Sequence, residues 1–234
     1  MQTISACMIV LNAEKTLAIA LESLENVYEE LIIVDGGSTD STCDIASHYG
    51  ARIIHSEWSG DFSEQRNLYL REVKTDWVFI IDADEFVDNK TVELLRVVKD
   101  YEHKTNGDRF YIMRRWISPF SKRHYISSYP YNNDWQDRLF YFQKNLYYKD
   151  QVHERLIGHC FRDLEATVPH IYHLDLFLTD EKTRVEKVKK YRQKRPQNTE
   201  DANCLYLPNN NIILEEWNLD QDINHSVKLL LEKL

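Results

Sequence analysis

No segment constrains the fold of this 234-residue chain more than residues 77–85, WVFIIDADE. The apolar residues 77–81 predict a short buried strand. Charges are costly inside a sheet, so the carboxylates that follow should emerge at the carboxyl edge of the strand. Open α/β sheets bind ligands at that edge. Asp82 and Asp84, two positions apart, could there reach one hard divalent cation, such as Mg²⁺ or Mn²⁺.

Strands and helices are predicted to alternate over the first hundred residues. Apolar runs predict strands at residues 4–11, 31–34, 52–55 and 77–81. Apolar residues at helical spacing predict the intervening helices, with Thr39 or Asp40 capping the second and Ser63 capping the third. This alternation predicts an α/β fold with a Rossmann-like, mostly parallel sheet that carries helices on both faces.

The composition changes near residue 107, where a segment rich in aromatic residues begins and continues to residue 150. The apolar pattern predicts further strands at residues 109–117, 138–142 and 168–178, with a long loop between the first two. A charged helix is predicted from Thr179 or Asp180 to Lys194, and an amphipathic helix over residues 221–234. The change in composition indicates a change of role within one fold.

Charge and composition argue against several functional classes. The net charge of −9 argues against general nucleic-acid binding. No apolar run is long enough to cross a membrane, and residues 1–10 lack the basic start of a signal peptide. The four cysteines show no Cys-x-x-Cys spacing, which argues against a zinc site or disulfide framework and favours a cytoplasmic protein. They are Cys7, Cys43, Cys160 and Cys204.

Several short segments, taken together, resemble the family 2 glycosyltransferases, which have the nucleotide-sugar-binding GT-A fold. They are residues 8–14 MIVLNAE, 33–40 IVDGGSTD, 65–67 QRN and 81–85 IDADE. Residues 152–154, VHE, also resemble a segment of the small bacterial core-glycan and polysaccharide members. The resemblance covers about residues 3–175. It implies a nucleotide-sugar-binding half, an acceptor-binding and catalytic half of the same domain, and a helical extension, at residues 1–106, 107–178 and 179–234.

The resemblance implies a nucleotide pocket around the first two strands. Asp35 could accept a hydrogen bond from a nucleobase, and Gly36 lets the backbone turn tightly beside a flat ring. Asn12 and Glu14 would line the same pocket. The alternative is a plain strand-to-helix turn capped by Ser38, with Asn12 and Glu14 as ordinary turn residues.

The resemblance also implies a diphosphate and metal site. Arg66 would lie near the base or the diphosphate, where its planar fork suits phosphate, with a surface ion pair as the alternative. Asp84 would ligate Mn²⁺ or Mg²⁺, while Asp82 would contact ribose or a metal-bound water and Ala83 would lie between them in the pocket. Some GT-A enzymes complete the metal shell with a late histidine. His173 is the candidate here, against a structural role.

An inverting transfer needs a general base for the acceptor hydroxyl. Glu154 is the first candidate for this base, and Asp137 is the second. The alternative role for Glu154 is an ion pair with Arg155 or Arg138. The metal would stabilise the negative charge that develops on the leaving diphosphate.

Two surfaces could bind the acceptor. The aromatic residues of 108–150 could stack on sugar rings, although core packing accounts for many of them. The basic helix at residues 182–195 could contact anionic lipid, which would place the protein peripherally at a membrane, or a phosphorylated glycan. Acidic residues interleave with these cations, so a solvated helix face is the alternative.

These features together predict a cytoplasmic, metal-dependent, inverting glycosyltransferase. Its donor would be a nucleotide-diphosphate sugar, and its acceptor a glycan or glycolipid. One alternative is a non-catalytic nucleotide- or glycan-binding module that kept the fold. Another is a sugar nucleotidyltransferase, although such enzymes usually begin with a Gly-rich phosphate loop and residues 11–16 contain no glycine.

Overall fold

The computed structural model describes residues 1–100, 107–158, 161–194, 205–208 and 211–234. The predicted domain boundary at residue 106 lies outside these ranges, as do Cys160, Arg195 and Cys204. None of the helices in the described ranges is long and apolar enough to span a membrane.

The first five strands and four helices carry the alternating part of the chain. The strands are β1 (Ile4–Val10), β2 (Glu30–Asp35), β3 (Arg52–His55), β4 (Trp77–Ile80) and β5 (Glu85–Val87). The helices are α1 (Leu17–Ser23), α2 (Thr42–His48), α3 (Phe62–Glu72) and α4 (Asn89–Val98).

The second part of the chain is dominated by strands and closes with helices. The strands are β6 (Asp108–Ser118), β7 (Ser121–Ile126), β8 (Trp135–Tyr141), β9 (Tyr147–Lys149), β10 (Arg155–Ile157), β11 (Arg162–His173) and β12 (Leu214–Glu216). The helices are α5 (Asp175–Leu178), α6 (Glu181–Lys194), α7 (Leu219–Asp222) and α8 (His225–Lys233).

One mixed sheet forms the centre of the fold, with the order β12-β7-β6-β8-β4-β1-β2-β3 and with β11 joined to β6 and β5. The strands β4, β1, β2 and β3 run parallel to one another. Antiparallel pairing of β8 with β4 and β6 then extends the sheet. The predicted α/β class is therefore confirmed, with the parallel strands concentrated in the N-terminal half.

Period-2 alternation explains why helices cover both faces of the parallel strands. On β1, Ala6 and Met8 point to the face where α1 and α4 pack, and they share a core with Leu21 and Leu95. Cys7 points to the opposite face. There it packs in the cluster that includes buried residues of α3. Successive side chains of a strand point to opposite faces, so a wholly apolar run requires cover on both.

The second half differs from the predicted elements in several places, and its short strands β9, β10 and β12 were not predicted. The predicted loop after β6 contains strand β7 and a 3-10 turn at Tyr131–Asn133. The strand predicted over residues 168–178 is the end of the longer β11, followed by the short helix α5. The predicted C-terminal helix is two helices, and the Asn224 side chain caps the second by accepting from the Val227 N–H.

Two helix starts also differ from the predictions. Helix α3 is capped by Asp61 instead of Ser63, because the Asp61 carboxylate accepts from the backbone N–H groups of Ser63 and Glu64. Helix α2 begins after Ser41, while the Asp40 carboxylate accepts from the Thr42 N–H at 3.0 Å. Side-chain acceptors near a helix start compete for the same free N–H groups, which makes the capping position difficult to predict.

Candidate functional site

A cavity of about 1110 Å³ opens at the carboxyl edge of the parallel strands. It brings together residues from the ends of β1 and β4, from α3 and β8, and from the end of β11. Nine of the predicted site residues line it: Asn12, Glu14, Arg66, Asp82, Ala83, Asp84, Asp137, Glu154 and His173. Asp35 and Gly36 are not among the lining residues of this cavity.

Asp84 and His173 meet at the end of β11. The Asp84 Oδ2 atom lies 3.2 Å from the His173 Nε2 atom. The Leu174 N–H donates to the Asp84 backbone carbonyl, and this bond brings the end of β11 to the turn after β4. Burial opposes ionisation of Asp84, but the contact with His173 outweighs it and lowers the pKa of the carboxyl below its usual value.

Asp82 is held by two arginines from distant parts of the chain. Its Oδ1 accepts from Arg66 Nη2 at 3.0 Å, and its Oδ2 accepts from Arg138 Nη2 at 2.8 Å. Burial acts to raise the pKa of Asp82, but the charges of Arg138 and Arg66 hold it well below its usual range. Asp82 is therefore an anion that is already paired.

Behind Asp82 lies a fully buried carboxylate, Glu85. Its Oε1 accepts from Arg138 Nη2 at 2.7 Å and from Arg114 Nη1 at 3.3 Å. Arg114 Nε in turn donates to Asp134 Oδ2 at 2.8 Å. Burial raises the pKa of Glu85, because removal from water penalises its charged form more than the arginines favour it.

The Arg66 guanidinium connects Asp82 to the predicted base. Its Nε donates to Glu154 Oε1, and its Nη2 donates to Asp82. Its Cζ atom lies 5.8 Å from the centroid of the Tyr148 ring. Acidic and basic side chains therefore alternate in a continuous series across the site. This series is called here the charge chain. Its members are Asp134, Arg114, Glu85, Arg138, Asp82, Arg66 and Glu154.

Asp137, the second candidate base, has a different environment. Arg109 Nη1 donates to its Oδ2 at 3.0 Å, while its buried Oδ1 has no hydrogen-bond partner among the described residues. Burial raises the pKa of this carboxyl to about 6, despite the opposing charge of Arg109. Asp137 is thus an acid that changes protonation close to neutral pH.

The opposite side of the cavity is built from two loops, called here the loop wall: residues 11–16 and 36–41. Asn12 Oδ1 accepts from the Thr39 N–H at 2.8 Å. Glu14 Oε2 accepts from the Ser41 N–H at 3.2 Å. Asn12 and Glu14 are both exposed, and Asn12 has a left-handed backbone with φ of 52°. Their side chains therefore join the loops after β1 and β2.

Asp35 ends β2, and Gly36 begins the second loop of the loop wall. The buried Asp35 carboxylate accepts from the N–H groups of Gly37 and Ser38, at 3.2 and 3.1 Å. A Cβ atom at Gly36 would lie 3.2 Å from the Val10 carbonyl oxygen, so the glycine permits close packing against the end of β1. Both residues shape the turn in the free protein, and their contact with a nucleobase stays a prediction.

The donor set on the Asp84 side fits a hard divalent cation. The Asp84 carboxylate is the kind of ligand that Mn²⁺ and Mg²⁺ prefer, whereas the His173 imidazole is a ligand of transition metals and so favours Mn²⁺ over Mg²⁺. The two side chains meet here with part of Asp84 exposed to the cavity. The buried His173 Nδ1 has no hydrogen-bond partner among the described residues. Asp82 fits less well, because both of its oxygens already accept from arginines. Asp84 and His173 are therefore the residues suited to a metal.

A second group of possible metal ligands lies elsewhere. Among the described residues, the group of three or more ligand atoms that all lie within 4.8 Å of one another comprises Asp35, Cys43 and His55. His55 is mostly exposed, and Asp35 already accepts from two backbone N–H groups. This group is separate from the cavity lining.

Sequence reasoning missed most of the cations at this site. Arg109, Arg114 and Lys187 line the cavity, and Arg138 had been considered only as a partner of Glu154. Arg138 follows Asp137 on a strand whose buried face could have been predicted from its apolar neighbours. A buried arginine needs a carboxylate partner, so an arginine on a strand with a buried face would have indicated an acidic residue close to it.

The family model described as Glycosyl transferase family 2 matches residues 5–166. The chain belongs to glycosyl transferase family 2. The match covers more than half of the chain and includes every strand from β1 to β10 apart from the first residue of β1. The predicted family and the predicted GT-A fold class are confirmed, and membership supports the predicted transferase activity.

Curated relatives match this family 2 chain over shorter segments. A TPR repeat-containing protein of Synechococcus elongatus is 40% identical over 85 residues, which are 36% of this chain and 21% of that protein. The lipopolysaccharide core biosynthesis glycosyltransferase LpsC of Rhizobium meliloti is 38% identical over 97 residues, which are 39% of this chain and 35% of that protein. The aligned segments thus span about a fifth to a third of these relatives.

Solved structures of glycosyltransferases are also similar. S. aureus TarS 1-349 aligns with a TM-score of 0.49 and 15% identity, over 82% of this chain and 66% of that chain. Glucosyl-3-phosphoglycerate synthase from Mycobacterium tuberculosis, in complex with Mn²⁺, uridine diphosphate and glucosyl-3-phosphoglycerate, aligns with a TM-score of 0.33 and 29% identity. That alignment covers 36% of this chain and 34% of that chain.

Proposed function

We propose that this chain is a metal-dependent, inverting glycosyltransferase that moves a sugar from a nucleotide-diphosphate sugar to a hydroxyl of a glycan or glycolipid. The observation that carries the proposal is the content of one cavity. It contains the Asp84–His173 pair together with two further carboxylates, Glu154 and Asp137. A transfer reaction needs these two kinds of group, one beside the leaving diphosphate and one beside the acceptor hydroxyl.

The donor would lie along the carboxyl edge of the parallel strands. Its nucleoside would lie at the loop wall, near Asn12, Glu14 and Asp35, and its diphosphate would reach Asp84. Asp84 and His173 would hold a divalent cation, Mn²⁺ or Mg²⁺. Such a cation acts as a Lewis acid and stabilises the charge that develops on the leaving diphosphate. Arg66 is positioned to add a fixed cation on the same side, because Asp82 holds its guanidinium at the cavity.

Glu154 is the proposed general base. The Arg66 contact orients its carboxylate at the cavity, where it could accept the proton of the acceptor hydroxyl as the hydroxyl attacks the sugar. Attack from the side opposite to the leaving group inverts the configuration at the sugar carbon. Asp137 is the alternative base, because its raised pKa gives it a higher proton affinity than an ordinary carboxylate.

Each of three consecutive segments of the chain is proposed to have its own role. Residues 1–106 would bind the donor, residues 107–178 would bind the acceptor and carry the base, and residues 179–234 would form a helical extension. The relative LpsC is named for lipopolysaccharide core biosynthesis, which supports a glycolipid as the acceptor. On α6, the side chains of Lys182 and Lys189 are exposed and available for contact with anionic lipid.

The two rival functions receive less support. A binding module without activity has no need for a buried charge chain that ends at a carboxylate in the cavity. A nucleotidyltransferase would release pyrophosphate, whereas the proposed reaction releases a nucleoside diphosphate. The identity of the released phosphate therefore separates these two reactions directly.

The test is a screen of sugars activated by UDP, GDP, ADP, CDP and dTDP, with Mn²⁺ and a mixture of glycan and glycolipid acceptors. Release of the nucleoside diphosphate and sugar transfer are measured together. Asp84→Ala should abolish transfer, while Asp44→Ala, an exposed carboxylate on α2, should leave it unchanged. Normal transfer by Asp84→Ala would overturn the metal assignment. Pyrophosphate release, or no reaction with any donor, would overturn the proposed function.

A further inference from the structure

The cationic side chains of α6 have three kinds of surroundings. Arg184 is buried and donates to the backbone carbonyl of Leu176 at 3.2 Å, so its charge serves the packing of the helix. Lys187 faces the cavity that contains Asp84. The remaining described cations of the helix with exposed side chains are Lys182, Lys189, Lys190 and Arg192. Lys187 therefore lines the site, although it belongs to a helix with many exposed cations.

The surroundings of Lys187 are polar on one side and aromatic on the other. Its Nζ donates to Asp175 Oδ1 at 2.9 Å and lies 4.5 Å from the centroid of the Tyr206 ring. Its side chain is 28% exposed. Burial alone would lower the pKa of the ammonium, but the oxygens of Tyr206 and Asp175 raise it overall. Lys187 therefore remains a cation in a partly desolvated place.

The contact with Asp175 uses only part of the hydrogen-bonding capacity of the Lys187 ammonium. The ammonium has three N–H donors, and the Asp175 Oδ1 contact occupies one of them. Lys187 and Asp84 line the same cavity. An ammonium on a flexible stem beside the proposed metal ligand can reach an anion bound between them.

We propose that Lys187 binds the diphosphate of the donor beside Asp84, and that it shares its ammonium between the bound phosphate oxygens and Asp175. This inference rests on the proposed function and names a residue outside the matched family region. The chemistry favours it, because a diphosphate brings at least two negative charges to a cavity that Asp82, Asp84 and Asp175 already line.

Isothermal titration of inorganic pyrophosphate in the presence of Mn²⁺ tests the inference without a nucleoside or sugar. Lys187→Met should weaken pyrophosphate binding by about 10- to 100-fold, as expected for a lost charge-assisted hydrogen bond. Lys190→Met is the matched control, because it removes the same charge from the exposed face of the same helix. It should change the affinity less than about 2-fold.

A double variant separates phosphate binding from neutralisation of Asp175. If Lys187 only masks Asp175, then Asp175→Asn combined with Lys187→Met should restore the affinity of the unmodified chain, which would overturn the inference. If Lys187 binds phosphate, the double variant should stay weak and Lys187→Arg should recover part of the affinity. Circular dichroism and the unfolding midpoint of each variant show whether it is folded.

The remaining outcomes are also decisive. Equal affinities of Lys187→Met and Lys190→Met would overturn the inference, as would an unmodified chain that binds no pyrophosphate. Binding of inorganic phosphate that needs Lys187 but not Mn²⁺ would assign the lysine to a phosphorylated acceptor instead. Failure of the transfer screen together with Lys187-dependent pyrophosphate binding would refute the proposed function and leave the diphosphate site standing.

Discussion

The two sides of the cavity are held by different kinds of contact. The loop wall joins two exposed loops through side chain to backbone hydrogen bonds, such as Asn12 to Thr39 and Glu14 to Ser41. The charge chain is mostly buried and joins acidic and basic side chains from several elements, including α3, β5, β6 and β8. Its contacts connect residues far apart in sequence, for example Arg66 with Glu154 across 88 positions.

This difference indicates what each side contributes. Water can replace an exposed hydrogen bond at little cost, so the contacts of the loop wall can be broken individually with little loss of stability. A buried ion cannot exchange its partner for water, so loss of one member leaves its neighbour charged and unpaired. Substitutions in the charge chain should therefore have larger effects than substitutions in the loop wall.

The largest effect is expected at the end of the charge chain. Glu154→Gln keeps the shape of the side chain but removes its basicity, so the transfer rate should fall about 10²- to 10⁴-fold. Donor binding, measured by calorimetry, should survive. Asp137→Asn is the companion variant: a larger loss of rate there, with Glu154→Gln near normal, would move the base to Asp137.

The middle of the charge chain should govern stability. Arg138→Met leaves Glu85 buried without its closest cation, and the free energy of unfolding should fall by about 3–5 kcal/mol. Arg96→Met, which breaks an exposed ion pair with Glu25, should cost no more than about 1 kcal/mol. Urea unfolding of both variants measures this contrast, and equal losses would remove the distinction between the two sides.

The buried acid Asp137 should make stability depend on pH. Its pKa is about 6 in the folded protein and has its usual value of 3.8 in the unfolded chain. Between these values the folded state binds the proton more tightly, so this group's contribution to stability falls as the pH rises from about 4 to about 6. Asp137→Asn should remove that part of the slope. Unfolding curves at several pH values, compared between the two proteins, test the sign, and an unchanged slope would contradict it.

The smallest effect is expected in the loop wall. Asn12→Ala removes the bond to the Thr39 N–H and places alanine at a positive φ. The free energy of unfolding should fall by about 0.5–1.5 kcal/mol for the bond alone. Asn12→Gly tolerates the backbone angle, so it separates loss of the bond from strain. Losses as large as that of Arg138→Met would show that the two sides do not differ as described.

Local sequence patterns predicted the parts of the fold that depend on neighbouring residues. The apolar run at residues 77–81 located β4 and the carboxylates after it, because burial and charge cost act within a few residues. The same reasoning failed for β7, which is short and polar and is held by pairing with β6 and β12. Its conformation is determined by those distant strands.

The sequence predicted which residues line the site better than it predicted the contacts between them. Nine of the eleven predicted site residues line the cavity. Those that follow β1 and β4, such as Asn12 and Asp84, could be located because the ends of neighbouring parallel strands meet at one edge. The partners of Asp82 were not predicted, since Arg66 and Arg138 approach from a helix and an antiparallel strand. Lys187 was recognised only as part of a basic helix, and the packing of α6 decides which of those cations faces the cavity.

Asp84 and His173 are proposed to hold the cation that binds the donor diphosphate. The most direct measurement is an anomalous difference map from crystals containing Mn²⁺ and the nucleoside diphosphate that the transfer screen identifies. A cation held in this way should give a peak about 2.0–2.3 Å from an Asp84 carboxylate oxygen and from His173 Nε2, in contact with the diphosphate. A peak at Asp35, Cys43 and His55 instead, or a bound diphosphate with no peak at Asp84, would contradict it.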